Sequence, residues 1–265
     1  MNLNLISKVM LKKIVGVVFA MMMSFQIFAQ LNTQVIIRAQ AKDAKFIGTG
    51  IGGALVVVRD HLTKEILAKG LTTGSSGNTE VIMNQAKKRG QSITDSATAK
   101  FIANLKIAEP TFVDIEVVAP VNRKNATINA STQLWVIPGK NILGEGIVLE
   151  IPGFIVDILS PTTHQQIKQA SLKNGSLNFK ASVTMSCGCP ITSGGIWNAD
   201  KIDVQAIVKK EGVKTEDLAL VFTGQTNLFE GKLNIKEKGN YEILVFAYDE
   251  KTGNTGVDKI NFVIQ

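Results

Sequence analysis

The sequence predicts an all-β fold, with two tandem antiparallel β-sandwich domains behind an N-terminal signal peptide. Short segments rich in Val, Ile and Thr alternate apolar and polar residues, as strands with one buried face do. Turn residues separate these segments, and glycine alone contributes 23 of the 265 residues. No long stretch has the helical period. Strands at this spacing, with turns between them, are typical of β-sandwiches.

Residues 1–29 have the pattern of an export signal. An apolar run over residues 14–23 follows the positive end, and a cleavage site follows Ala29. The positive end consists of Lys8, Lys12 and Lys13. The apolar run is shorter than the roughly 20 residues that a membrane-spanning helix needs. We therefore expect an exported chain, in the periplasm, at the cell surface or secreted, without a membrane span in its mature form.

The charge pattern argues against a nucleic-acid partner. Removing the signal removes three lysines and no acidic residue, so the formal net charge falls from +7 to +4. The basic clusters are short, separated and unaccompanied by aromatic residues: Lys87-Lys88-Arg89, Arg123-Lys124 and Lys209-Lys210. Such clusters indicate a solvated surface. The expected partner is a protein or an envelope polymer, and the oligomeric state stays open.

The first predicted sandwich covers residues 30–160. Its first strand is expected from Gln34 to Ala41, and a short helix from Glu80 to Arg89. Strict alternation over residues 97–107 favours a strand over a helix. Glu109-Pro110 then turns the chain into a segment starting at Thr111, which predicts a hairpin.

The segment Ser160-Pro161-Thr162-Thr163-His164 marks the predicted domain boundary. Polar and charged residues dominate after it, so residues 161–175 are expected to be a linker. Strands resume at Ser176, and residues 176–265 form the second predicted sandwich.

Two stretches carry family resemblances. The segments 52–58 and 63–70, followed by Thr72-Thr73-Gly74, resemble the opening of a carboxypeptidase-regulatory, or transthyretin-like, β-sandwich. The segments 241–249 and 252–256, followed by a final strand over 257–264, are similar to bacterial immunoglobulin-like modules. These resemblances imply architecture and a tendency towards surface scaffolding and binding, but no particular ligand.

The stretch Met185-Ser186-Cys187-Gly188-Cys189-Pro190 holds both cysteines of the chain. In an extended strand the side chains of Met185, Cys187 and Cys189 would share one face, and Pro190 would end the strand. The two cysteine α-carbons would then lie about 6.6 Å apart. That separation is at the upper limit for a disulfide, so a bond requires a bend at Gly188.

Three hypotheses follow for this pair. An oxidising compartment favours a local disulfide between Cys187 and Cys189. The alternative is a soft-metal site for Cu(I), formed by Cys187, Cys189 and Met185 with His164 completing it. The third hypothesis is thiol–disulfide exchange, which usually needs a different spacing and an activating group.

Other features indicate a protein without catalytic activity. The two histidines, His61 and His164, lie in predicted turns, and no nucleophile elbow or zinc-binding helix motif is present. Trp135 and Trp197 are expected in the cores, the alternative being an exposed aromatic patch for carbohydrate stacking. The favoured function is an exported, non-enzymatic binding or scaffolding module of the cell envelope without a cofactor. The alternatives are a periplasmic copper-binding protein and a thiol-exchange accessory protein.

Overall fold

The computed structural model describes residues 31–265, so the predicted signal peptide lies outside the described residues. The first seven strands are β1 Leu31–Ala41, β2 Leu55–Asp60, β3 Ile66–Leu71, β4 Phe101–Ile107, β5 Thr111–Ala119, β6 Ile128–Val136 and β7 Ile142–Ile151. The others are β8 Phe154–Ser160, β9 Gln166–Ile167, β10 Ser176–Met185, β11 Asp203–Lys210, β12 Val213–Ala219, β13 Val221–Phe222, β14 Leu228–Asn234, β15 Gly239–Asp249 and β16 Asn254–Ile264.

Within residues 31–265, helical structure is limited to single turns. They are Thr49–Ile51, Glu80–Asn84, Lys124–Ala126, Gln169–Ser171, Lys173–Gly175 and Ala199–Lys201. The helix predicted over 80–89 is therefore only a five-residue π-type turn, Glu80–Asn84. Across residues 31–265, none of these turns has the length and apolar character that crossing a membrane requires.

The strands form two sandwiches, as predicted. In the first, a sheet ordered β4-β1-β7 faces a sheet ordered β3-β2-β5-β6. In the second, a sheet ordered β13-β14-β10-β8 faces a sheet ordered β12-β11-β15-β16-β9. Most neighbouring strands are antiparallel, whereas the pairs β1–β7 and β9–β16 are parallel.

The predicted hairpin between β4 and β5 is wrong. β4 pairs with β1, whereas β5 pairs with β2 and β6 in the opposite sheet. Both strands bury alternate residues, Ala103 and Leu105 on β4 and Val113 and Ile115 on β5. The alternation correctly identified the buried faces. However, the same pattern arises whether two consecutive strands pair or cross between sheets.

Strand pairing also moves the boundary between the two sets of sheets. The prediction assigned residues 154–160 to the first sandwich, but β8 pairs with β10 of the second, from Phe154↔Met185 to Ser160↔Lys180. Part of the expected linker over 161–175 is a strand as well, since β9 pairs with β16. Only Pro152 and Gly153 separate the last strand of the first sandwich from β8.

Hydrogen bonds tie the two sandwiches together where the chain passes between them. The buried Asn254 side chain accepts a hydrogen bond from the Gly153 N–H at 2.8 Å and donates one to the Lys42 carbonyl at 3.1 Å. Ser186 Oγ donates to the Gly153 carbonyl at 2.7 Å, and the Lys42 N–H donates to the Ile151 carbonyl at 3.0 Å. We call these five residues the joint.

Side chains on either side of the joint extend the contact. Arg123 Nε lies 3.0 Å from Asp157 Oδ2, and Asn125 donates to Asp258 at 3.0 Å. Trp197 Nε1 of the second sandwich also donates to the Asp43 carbonyl of the first, at 3.0 Å. A single cluster of buried apolar residues runs through both sandwiches. The two sandwiches therefore pack as one body.

Replacing Asn254 with alanine tests the joint. The Asn254→Ala variant leaves the Gly153 N–H and the Lys42 carbonyl without their partner, which we expect to cost about 3 kcal/mol of unfolding free energy. Urea unfolding followed by circular dichroism measures it. The control is Asn178→Ala, at an exposed position of β10, for which we expect a change within about 0.5 kcal/mol. Equal losses in the two variants would contradict the bridging role of Asn254.

Candidate functional site

The cysteine loop begins where β10 ends. The strand stops at Met185, four residues earlier than an extended segment reaching Cys189 would. The Gly188 N–H donates to the Met185 carbonyl at 2.7 Å and closes a turn. Gly188 has φ +76°, in the left-handed region that glycine adopts without strain. The bend expected at Gly188 is therefore present.

This turn brings the two cysteines together. Their α-carbons lie 5.4 Å apart, within the range of disulfides, and their Sγ atoms are at bonding distance. Both side chains are nearly buried, and Gly188 between them faces Ile51 of the first sandwich. The pair therefore lies against the contact between the two sandwiches.

The third predicted sulfur ligand lies in a different cleft. Cys187 and Cys189 line a cleft of about 420 Å³ together with Lys45 of the first sandwich. Met185 lines another cleft, of about 600 Å³, with Asp43 and Asp249. Ile196 and Trp197 line both clefts. The three sulfurs therefore do not converge on one cavity.

The predicted fourth ligand, His164, lies at the other end of the sheet. It follows Ser160, which pairs with Lys180, whereas the cysteine loop follows Met185, which pairs with Phe154. Five strand residues at about 3.3 Å each separate those ends by roughly 17 Å. The His164 N–H donates to the carbonyl of Asn261, a residue of β16. Among residues 31–265, no group of three or more His, Cys, Asp or Glu side chains is placed to hold a metal ion.

The two tryptophans have opposite environments. Trp197 is buried, as expected, with only 9% of its surface exposed. The prediction for Trp135 is wrong, since 62% of its surface is exposed on the outer face of the first sandwich. The sequence carried a signal for this orientation. Trp135 has the same strand parity as the polar residues Asn129, Ser131 and Gln133, and opposite parity to the buried Val136.

A polar cluster adjoins Trp135. Asp114 Oδ1 accepts hydrogen bonds from His61 Nδ1 and Gln133 Nε2, both at 2.7 Å, and Oδ2 accepts one from Lys64 Nζ at 3.1 Å. Sequence reasoning missed this cluster because the β2–β3 turn, strand β5 and strand β6 supply its members separately. His61, expected in a surface turn, is the residue that links the cluster to the aromatic side chains, since its ring lies 5.1 Å from that of Phe112.

These contacts keep Asp114 ionised. The hydrogen bond from His61 contributes most and that from Lys64 next, and together with Gln133 they lower the pKa of Asp114 from 3.8 to about 2. Because the pKa of Asp114 is lowered in the folded state, these hydrogen bonds contribute fully to stability above pH 3.8, the ordinary pKa of the carboxyl group. This contribution is lost only as the pH falls through about 2. The cluster is therefore charged and intact across neutral and mildly acidic conditions.

Nuclear magnetic resonance titration of the Asp114 carboxyl group tests the cluster. We expect a midpoint near pH 2 in the wild type and a midpoint raised towards 3.8 in His61→Ala, because that change removes the largest cause of the shift. The control is Leu62→Ala, in the same turn, since Leu62 is 86% exposed and its apolar side chain cannot hydrogen-bond to Asp114. A wild-type midpoint near 3.8 would contradict the described contacts.

No protein-family model matches the sequence, and no curated protein is detectably similar to it. Among solved structures, fibronectin(III)-like modules of Clostridium thermocellum CbhA share 14% identity, with 88% of this chain and 94% of that chain covered and a TM-score of 0.28. The titin Ig tandem domains A164-A165 share 8% identity, cover 88% and 95%, and have a TM-score of 0.23.

An engineered protein shares 13% identity over 47% of this chain and 24% of its own chain, with a TM-score of 0.32. All three TM-scores are below 0.5, so the β-sandwich assignment rests on the strand topology. The carboxypeptidase-regulatory resemblance has no matching family model. The chain is an all-β protein whose strands form predominantly antiparallel sheets.

Proposed function

We propose that this protein is an exported, non-enzymatic binding or scaffolding module of the cell envelope. The observation that carries the proposal is the joint, at which Asn254, Gly153 and Lys42 connect the backbones of both sandwiches. A tight connection of this kind fixes the direction in which each sandwich presents its outer sheet. Fixed presentation of surfaces is what a scaffold requires, whereas mobility is the ordinary behaviour of tandem domains.

The cysteine loop supports the same proposal as a structural element. A disulfide between Cys187 and Cys189 encloses a single residue, Gly188, and stiffens the turn that faces Ile51. Disulfides persist in oxidising compartments, which agrees with the predicted export. Since Met185 lines a different cleft and His164 lies at the far end of the sheet, no observation favours copper binding as a second function.

Native mass spectrometry of the protein secreted from an exporting host tests both parts of the proposal. We expect a chain starting at Gln30 that is two mass units lighter than its reduced form and gains no copper on anaerobic exposure to Cu(I). Reduced cysteines holding one copper ion, lost in Cys187→Ser/Cys189→Ser, would contradict the structural role. Retention of residues 1–29 in the secreted chain would contradict the predicted processing.

The same double variant tests whether the cysteines take part in binding. A loop this short contributes about 1–2 kcal/mol by the chain-entropy estimate, so the variant is expected to fold with slightly reduced stability. We expect it to co-sediment with envelope material as the wild type does. A folded double variant that no longer co-sediments would contradict the proposed non-enzymatic module and favour thiol exchange or metal chemistry.

A further inference from the structure

The outer face of the β3-β2-β5-β6 sheet carries an aromatic row next to polar rows. Strand register pairs Phe112 with Trp135, and the next outward pair is Asp114 with Gln133. One step further along, Glu116 pairs with Ser131. On the other side of β5, Arg59 of β2 pairs with Asp114. Side chains of successive outward pairs are about 7 Å apart along the strands.

The aromatic row holds the exposed indole in place. The rings of Trp135 and Phe112 lie 5.2 Å apart at 43°, and Phe112 in turn contacts His61 edge-on at 70°. His61 is fixed by its hydrogen bond to Asp114. Because these contacts already hold the indole of Trp135, it loses little side-chain entropy when a ligand stacks on it, which favours binding.

The polar rows are also organised in advance. Because Gln133 commits its Nε2 to Asp114, the orientation of its amide is fixed and its Oε1 remains an acceptor. Asp114, Glu116, Ser131 and Gln133 line an open groove of about 430 Å³. Carboxylate, amide and hydroxyl groups in one groove can accept and donate several hydrogen bonds at once.

We propose that this face binds a polysaccharide of equatorially substituted pyranose rings. Such a ring has an apolar face of axial C–H groups, which would stack on Trp135, and a rim of hydroxyl groups. Those hydroxyls would donate to Asp114 and Glu116 and to the amide oxygen of Gln133. The inference rests on the proposed binding function, since it names the chemical class of the envelope partner.

The charges on this face favour a saccharide over other polymers. The groove beside Trp135 is lined by the carboxylates Asp114 and Glu116 and, within residues 31–265, by no basic side chain, so it offers no cationic partner to the phosphates of a single-stranded nucleic acid, which otherwise also stacks on aromatic side chains. A protein partner would have to bury ionised Asp114 together with Arg59 and Lys64, whereas the cores of protein interfaces are depleted of charge. Sugar hydroxyls can replace the water molecules around these groups without leaving them unpaired.

Titration of the mature protein with cellohexaose and with N-acetylchitohexaose, followed by tryptophan fluorescence and calorimetry, tests the inference. We expect saturable binding of at least one, with a change in the emission of Trp135. The Trp135→Ala variant should weaken it roughly 5- to 100-fold, by analogy with bases stacked on aromatic side chains. Trp135→Phe should restore part of the affinity. The control is Tyr248→Ala, which removes an aromatic side chain that is 40% exposed on the second sandwich.

Three outcomes would overturn the inference. They are no binding of either hexasaccharide, binding that Trp135→Ala leaves unchanged, and tighter Trp135-dependent binding of a thymidine oligonucleotide than of either sugar. Co-sedimentation with envelope material separates this inference from the proposed function. If Trp135→Ala co-sediments as the wild type does and the sugars do not bind, only the saccharide inference fails. If the wild type does not co-sediment, the proposed function fails as well.

Discussion

The connection between β7 and β8 is the constraint on which the rest of the molecule depends. Two residues, Pro152 and Gly153, join a strand of one sandwich directly to a strand of the other. Gly153 has φ +106°, and a Cβ at that position would lie 2.7 Å from the Thr255 carbonyl oxygen. Glycine is therefore required there both by backbone conformation and by space. Asn254 can bridge Gly153 and Lys42 only because the backbones approach so closely.

This constraint determines where binding surfaces can lie. The turn Lys124–Ala126, which precedes β6, contacts β8 and β16, so the start of β6 is close to the second sandwich. Trp135 comes seven residues after Ile128, near the opposite end of β6 and about 23 Å along the strand. The aromatic row is consequently distant from the joint, whereas the cysteine loop lies against it. The exposed aromatic row is therefore free for a partner, whereas the joint and the cysteine loop stabilise the contact between the two sandwiches.

Strand alternation predicted the fold and most buried residues, because a half-buried strand must alternate. It also contained the outward orientation of Trp135, which the general tendency of tryptophan towards burial concealed. The pairing partners of the strands could not be predicted in the same way. Thr111 begins a strand in the opposite sheet from β4, and nothing in a single sequence distinguishes that crossing from a hairpin.

The sequence could not show which distant residues come close together in the folded chain. The spacing of Cys187 and Cys189 correctly required a bend at Gly188, since that geometry is local. His164 could not be placed, because its distance from the cysteine loop depends on the register of β8 against β10. The cluster around Asp114 depends likewise on pairing between β5 and β6. Ser160-Pro161 looked like a boundary because turns inside a sandwich use the same residues as linkers.

Residual dipolar couplings of backbone amides test the central claim most directly, namely that the two sandwiches form one rigid body. Amides of β1–β7 and of β8–β16 should fit a single alignment tensor, with the same magnitude and orientation for both sandwiches. Two tensors of clearly different magnitude would show that the sandwiches move independently. That result would contradict fixed presentation of the surfaces and, with it, the scaffolding role.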